Sequence, residues 1–301
     1  DVAKLKLAAG PVRSDIVGRK NGLYREHCSH CHGVTGDGMG PTAAFLNPYP
    51  RDYRPGVFKF KSTERADKPT HKDLVMVLHN GLAGSSMPSF ALLSDAKIDA
   101  LAEYVKYLSI RGEVELALMR AFFELDDEDK GVLPQSREFL FEEVIDPVTE
   151  RWASAEDAII DVPEMPEGLD MVASIAKGKE LFYGNKANCV KCHGVSGLGD
   201  GQANDYDDWN KVVLQAHKTV EGGIKQAEKA STWEMSAEER DEHRMELAWL
   251  DRFETVLDEN ALRPRMIRPR NLRQGVYRGG MRPLDLYYRI HAGINGAPMP
   301  A

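Results

Sequence analysis

The chain has 301 residues, 42% of them hydrophobic and 29% charged, which is ordinary for globular protein and long enough for two domains. A net charge of −8 argues against generic nucleic-acid binding, and no apolar run approaches the length of a transmembrane segment. All four cysteines lie in two short motifs, which leaves none for a disulfide.

Residues 1–20 carry little periodicity and are expected to wrap the surface. From Gly18, the run Gly-Arg-Lys-Asn-Gly-Leu-Tyr-Arg-Glu-His-Cys reads as a short helix that buries Leu23 and Tyr24. It leads into Cys28-Ser29-His30-Cys31-His32, and Cys189-Val190-Lys191-Cys192-His193 repeats that pattern 161 residues later. C-x-x-C-H is the spacing of a c-type haem attachment site. Its two thiols add across the two vinyl groups of one porphyrin, and the following His is held under the iron as a ligand. Zinc is the weaker reading, because adjacent Cys31 and His32 do not easily point at one tetrahedral ion. A thioredoxin-like redox pair would sit beside a βαβ pattern, and Gly-rich loops follow both motifs instead. The expected cofactors are therefore two covalently bound haem c groups. His27 and His30, which flank the first cysteines, read as exposed or carbonyl-bonded.

Gly33 to Pro41 forms a loop whose glycines allow close approach to a flat cofactor. An extended, Pro-containing crossing follows at 48–52. Thr70 is expected to cap a helix over His71 to His79 that ends at Gly81. The next loop presents Met87 before Pro88. The run Asp95 to Ser109 places Ile98, Leu101, Ala102, Val105 and Leu108 at helical spacing, and would close a first domain over 1–111. The stretch 112–170 is acidic and partly helical, and reads as a linker.

The second domain, 171–301, repeats the first. Asp73-Leu74 to Met87-Pro88 aligns without gaps on Asp285-Leu286 to Met299-Pro300, at an offset of 212. Arg51 to Phe58 matches Arg270 to Tyr277 at an offset of 219. Since the cysteines match at 161, the second copy holds an insertion of 58 residues, and a deletion of seven follows Tyr277. The insertion, near 203–262, reads as a helical hairpin with Trp209, Val213, Trp249 and Phe253 as its buried points. No counterpart of the run 95–109 follows Met299. Either that closing helix is missing from the sequence or the interdomain segment replaces it, and the first is favoured.

Met87 and Met299 are the expected sixth ligands, since each precedes Pro in a Gly-containing loop at the same repeat position. A thioether is soft and favours ferrous iron, and it fills the site that a substrate would need. Met39, Met76 and Met281 are weaker candidates, and His79 and His291 are the nitrogen alternatives. Arginine is dense over 263–289, where Asp285 is the single acid. Ordinary solvation and pairing with haem propionates account for most of it, and a steering patch for an acidic redox partner is the alternative. By the repeat alignment, Arg51 and Arg270 are the expected propionate contacts.

Both halves resemble class I c-type cytochrome domains: C-x-x-C-H, a Gly-rich loop, a Pro-containing segment, then Gly-x-x-Gly-x-x-Met-Pro. The resemblance covers 18–110 and, around the insertion, 175–301. It implies a small all-α domain around each haem, two in tandem; the helical linker and the helical insertion in the second depart from the plain pattern and favour a docked subunit over a freely diffusing shuttle. His32 and His193 would be proximal ligands, and Met87 and Met299 distal ones. The implied function is electron relay between donor and acceptor redox proteins, as a carrier or as a subunit of a membrane-associated respiratory complex. Covalent haem attachment occurs outside the bacterial inner membrane, and Asp1 follows no apolar leader, so an exported, processed periplasmic protein is expected. The rival is a haem enzyme, a diheme peroxidase or a sulfur-compound dehydrogenase, with one open or displaceable iron site.

Overall fold

The computed structural model describes residues 1–10, 22–124, 137–201, 205–229 and 235–301. Among them the chain is all-α, with two isolated bridges, Thr63 with Ile159 and Asp205 with Ile267. The start of the helix expected from Gly18, most of the acidic run 124–129, and residues 203–204 and 230–234 of the insertion lie outside the described residues. The chain forms two compact units, Asp1–Gln202 with Arg270–Ala301, and Ala203–Pro269.

In the larger unit, α1 (Val2–Ala9) begins at Asp1, whose carboxylate accepts from the Ala3 amide at 2.8 Å. The expected surface wrap is thus a helix that packs on α5 (Asp95–Glu124) and α2 (Leu23–His27). Its inward face is small, with Ala8 fully buried and Leu5 half-buried, which is too little to stand out as a periodic signal. Lys4 adds an ion pair to Asp99 of α5 at 2.5 Å.

Helix α3 (Ser29–His32) carries the first haem motif. Helix α4 (His71–Asn80) starts as predicted: the Thr70 hydroxyl accepts from the Asp73 amide, and the Asp73 carboxylate accepts from the Thr70 amide. Ile98, Leu101, Ala102, Val105 and Leu108 form one stripe of α5, each at most 5% exposed, over Tyr24, Leu74 and Leu78. Burying a large apolar side chain of this kind stabilises by roughly 1.5–3 kcal/mol.

Helix α5 does not stop near residue 109 but runs on to Glu124, so the expected boundary at 111 falls inside a helix. The following stretch also departs from a plain linker. After a π-helical turn at Phe139–Ile145, α6 (Asp146–Ala153) seats Val148 and Trp152 in the first domain's core. Glu113 of α5, buried, accepts from the Trp152 indole at 2.8 Å, Lys68 at 2.5 Å and Arg151 at 3.2 Å. Residues 158–160 then pair with 62–64 through Glu64 N–H to Ala158 O and Ile160 N–H to Ser62 O. This segment therefore covers the first domain and does not replace a closing helix on the second.

The second haem domain opens with α7 (Met171–Tyr183), capped by the Asp170 carboxylate on the Val172 and Ala173 amides. Helix α8 (Val190–His193) carries its motif. Two further helices, α9 (Asp208–Lys229) and α10 (Ala237–Asn260), belong to the smaller unit. The second domain then resumes and ends through α11 (Pro283–His291), the repeat partner of α4.

In the smaller unit, α9 and α10 pack on each other as the expected hairpin, and α10 begins with a Ser236–Glu239 capping box. Asn210 is buried, donating to Asp207 and accepting from the Arg265 amide at 2.8 Å, which ties the entry of the unit to its exit. The buried apolar points are Val220, Ala227 and Leu250. Two of the four expected ones are wrong: Trp249 and Phe253 are exposed and stack on each other at 5.3 Å. Trp209 and Val213 are half-buried. Periodicity identifies an apolar face, but not whether anything covers it.

Candidate haem sites

The two C-x-x-C-H motifs fold into the same short turn. The His32 amide donates to Cys28 O at 2.9 Å, and the His193 amide donates to Cys189 O at 2.9 Å. Each loop then returns under its helix, with Gly38 N–H on His32 O and Gly199 N–H on His193 O, both 2.9 Å. Gly40 and Gly201 close the return. A Cβ on either would stand 2.4 Å from the carbonyl oxygen of His30 or Lys191, so only glycine lets the backbone pass there.

The donor set suits a covalently held haem. Burial, with Cys31 adjacent, pushes the Cys28 thiol up to about 12, whereas a thioether at the same place carries no charge to desolvate. Cys31, Cys189 and Cys192 are half-buried. His32 Nδ1 lies 3.0 Å from Arg51 O and His193 Nδ1 lies 3.3 Å from Arg270 O. A carbonyl only accepts, so Nδ1 carries the proton in each ring and Nε2 keeps its lone pair for a metal. Burial pushes His32 down to about 4, against a smaller upward pull from its bond to Arg51, so it is neutral and ligand-ready at pH 7.

Sequence reasoning missed the supporting roles of three tyrosines. Tyr53, buried, stacks on the His32 ring at 4.7 Å and fixes its plane. It gave no repeat signal because Leu272 occupies the equivalent position. The Tyr24 hydroxyl donates to Gly33 O at 2.9 Å and the Tyr183 hydroxyl donates to Val195 O at 2.7 Å, so a tyrosine braces each loop.

The methionine loops share their backbone bonds, and Ser85 Oγ adds bonds in the first, to Leu82 O and from the Met87 amide, that Ala297 cannot make in the second. Leu82 N–H donates to Met87 O at 3.1 Å and Ser85 N–H to Leu82 O at 3.0 Å. In the second domain Ile294 N–H donates to Met299 O at 3.0 Å and Ala297 N–H to Ile294 O at 3.1 Å. Met87 and Met299 are both half-buried, and Met87 packs against the first core. The alternatives lie elsewhere. His79 and His291 are exposed, the first bonded to Asn80 and the second paired with Glu64 at 3.4 Å. Met281 is 65% exposed, and the Met76 sulfur accepts from Arg282 at 3.2 Å. His30 is exposed, and His27 lies edge-on to Phe90.

Several arginines of the 263–289 cluster are tied to the fold. Arg282 forks onto Asp285, Arg273 donates to Ser196 O at 2.7 Å, and Arg289 donates to the carbonyls of Arg278 and Gly280. Arg270 and Arg278 both donate to Gly84 O at 3.3 Å, in the first domain's methionine loop. Burial, with Arg270 beside it, pushes Arg278 down to about 10, and its buried Nε has no hydrogen-bond partner among the described residues. A guanidinium with a donor to spare suits an acidic group, and haem propionates have that chemistry.

Sequence-family comparison places residues 18–105 in the family of cytochrome c oxidase, cbb3-type, subunit III, and residues 175–252 in the cytochrome c family. The second match runs into α9 and α10, while the structural repeat continues at 270–301. No curated protein matches the chain. Among solved structures, the reducing HAO-like protein complex Kustc0457/Kustc0458 of Kuenenia stuttgartiensis matches with a TM-score of 0.52. That match has 21% identity and covers 93% of this chain and 84% of that one. At that identity the likeness is one of fold.

The paired motifs, the helical fold and both family matches define c-type cytochrome domains. Two of them in tandem are the make-up of a diheme c-type cytochrome. The chain carries two such domains in tandem and two covalently attached haem c groups, whose work is electron transfer.

Proposed function

We propose that the protein relays single electrons between a donor and an acceptor protein in the periplasm, as a docked subunit of a larger redox assembly such as a respiratory complex. The observation that carries this reading is the pair of methionine loops, built twice with the same backbone hydrogen bonds. When bound, the haem irons supply reversible one-electron chemistry. Cys28 and Cys31 would hold the first porphyrin and Cys189 and Cys192 the second, with His32 and His193 offering Nε2 to the irons. Met87 and Met299 would supply the sixth ligands, where a thioether would favour the reduced state and deny the site to a substrate. Arg51 and Arg270 are the proposed propionate contacts. The docked arrangement gains support from the insertion, which a small diffusing carrier does not need, and from the neighbour of similar fold, which was solved as a protein complex. Among the described residues no helix is long and apolar enough to cross a membrane.

The test is an optical spectrum of the oxidised protein with a parallel cyanide and peroxide challenge. Two haems with the far-red sulfur-to-iron band, slow to bind cyanide and inert to peroxide, are expected. One high-spin or readily ligated haem would replace the relay with the enzyme reading, a peroxidase or sulfur-compound dehydrogenase, and would strike Met299 first.

A further inference from the structure

The two haem domains meet through the same pair of segments used in both directions. Around Gly84, a Cβ would stand 2.9 Å from Arg270 Nη1 and 3.1 Å from Val276 Cγ1. Around Gly296, the repeat partner of Gly84, it would stand 3.6 Å from Arg51 Nη1 and 3.1 Å from Val57 Cγ1. Arg51 and Val57 are the repeat partners of Arg270 and Val276. The cleft between the domains follows the same rule, lined by Asp73 with Asp285, Met76 with Tyr288, and Phe60 with Gly279. An approximate two-fold axis therefore relates the domains, as in an isologous dimer fused into one chain.

Charged clamps lie across this axis, and each grips a methionine loop of the opposite domain. Arg65 of the first domain donates from Nη1 to Met299 O at 2.8 Å and from Nη2 to Ala297 O at 3.2 Å. Those two residues carry the loop's own closing bonds, since Met299 O also accepts from Ile294 and the Ala297 amide donates to Ile294 O. In return Arg278 and Arg270 of the second domain both donate to Gly84 O. A guanidinium fork bonded to carbonyls restricts a loop more than a flexible ammonium does. Two guanidiniums on one carbonyl also repel each other, so the contact is retained against a local electrostatic cost.

We propose that the distal-ligand loop of each haem is positioned by arginines of the other haem domain: Arg65 holds the Met299 loop, and Arg278 with Arg270 holds the Met87 loop. In its effect on the haems, this rests on Met87 and Met299 being the distal ligands. Each iron's ligand field then depends on a residue more than 180 positions away in sequence.

The experiment compares the holoprotein with Arg65→Gln and Arg278→Gln, reading peptide-resolved amide exchange at 82–87 and 294–299 alongside the two haem potentials and the far-red band. Both arginines of the Gly84 pair also suit a haem propionate, so amide exchange at 82–87, and not the first haem's potential, decides whether Arg278 holds this loop. Losing a charge-assisted bond at a loop should speed its exchange about tenfold. The expected pattern is crossed. Arg65→Gln speeds 294–299 and shifts only the second haem, Arg278→Gln speeds 82–87 and shifts only the first, and Arg65→Lys restores part of the protection. Effects confined to each variant's own domain, spread evenly over both loops, or absent would overturn the proposal. The far-red band of the unaltered protein judges the methionine reading separately, and amide exchange judges the clamps whether or not that band appears.

Discussion

The two haem domains share their local geometry almost bond for bond and differ in what covers it. Leu78 on α4 is 5% exposed, while Ile290, its repeat partner on α11, is 67% exposed. Tyr24 is 1% exposed, and Tyr183, which makes the equivalent bond to its own haem loop, is 46% exposed. Helix α5 accounts for the difference. It lies over α2 and α4, is itself backed by α6, and among the described residues nothing equivalent lies over α7 and α11. The motif, the loops and their hydrogen bonds thus form without a closing helix. Burial of the helix faces is a separate contribution that the first domain receives from α5 and α6.

The largest expected effect tests the clasp that locks this cover. Glu113 is 7% exposed and is the shared acceptor for Lys68, Arg151 and Trp152. Glu113→Gln keeps the shape but strands the buried Lys68 ammonium, at a cost of about 3–5 kcal/mol to the first domain. Denaturant melts of the holoprotein should show this loss, and pairing Glu113→Gln with Lys68→Met, which keeps an acceptor for the Trp152 indole, should recover most of it. Near-neutral behaviour of the single variant would mean that α6 does not depend on this clasp.

A smaller effect compares the domains at one repeat position. Leu78→Ala should cost about 2–5 kcal/mol, as for a fully packed leucine. Ile290→Ala should stay within about 0.5 kcal/mol, as for an exposed side chain. Equal costs would show that the face of α11 is covered in solution, and the contrast between the domains would then fall.

What was legible in the sequence follows the range of the interaction. Cys28 to His32, the Thr70 cap, the α5 stripe and the Met87 and Met299 loops are written within a few residues each, and the repeat doubled the haem-motif and methionine-loop signals. The hairpin of α9 and α10 was legible for the same reason, through its helical patterning. Helix α1 was not, because Leu5 and Ala8 make too short a stripe. The seating of Trp152 on α5 depends on Glu113, 39 positions away, and the Arg65 clamp on Met299 spans 234 positions. No local pattern encodes such pairs. The arginine cluster looked like one feature in sequence, yet the fold divides it among an Asp285 fork, backbone braces and interdomain clamps.

The smallest effect is a pH dependence at one repeat position, where only the first domain carries a titrating group. Lys61 is half-buried, donating to Thr63 and to Glu64 O, and its repeat partner is Gly280, which has no titrating group. Burial pushes the Lys61 ammonium down to about 8 from 10.5, against weaker upward pulls from Asp67, Asp73 and Glu64. Between those values the unfolded chain holds a proton that the folded chain has released, so stability rises with pH across that window. Burial lowers Lys68 as well, so the two lysines share the slope. Lys61→Met should flatten the part that begins near pH 8 while leaving the part due to Lys68. Melts of the unaltered protein and of Lys61→Met across pH 7–11 would measure it. A slope unchanged in Lys61→Met would mean that water reaches this ammonium at the domain interface, and that the cleft beside Asp73 and Asp285 is wetter than the packing around it implies.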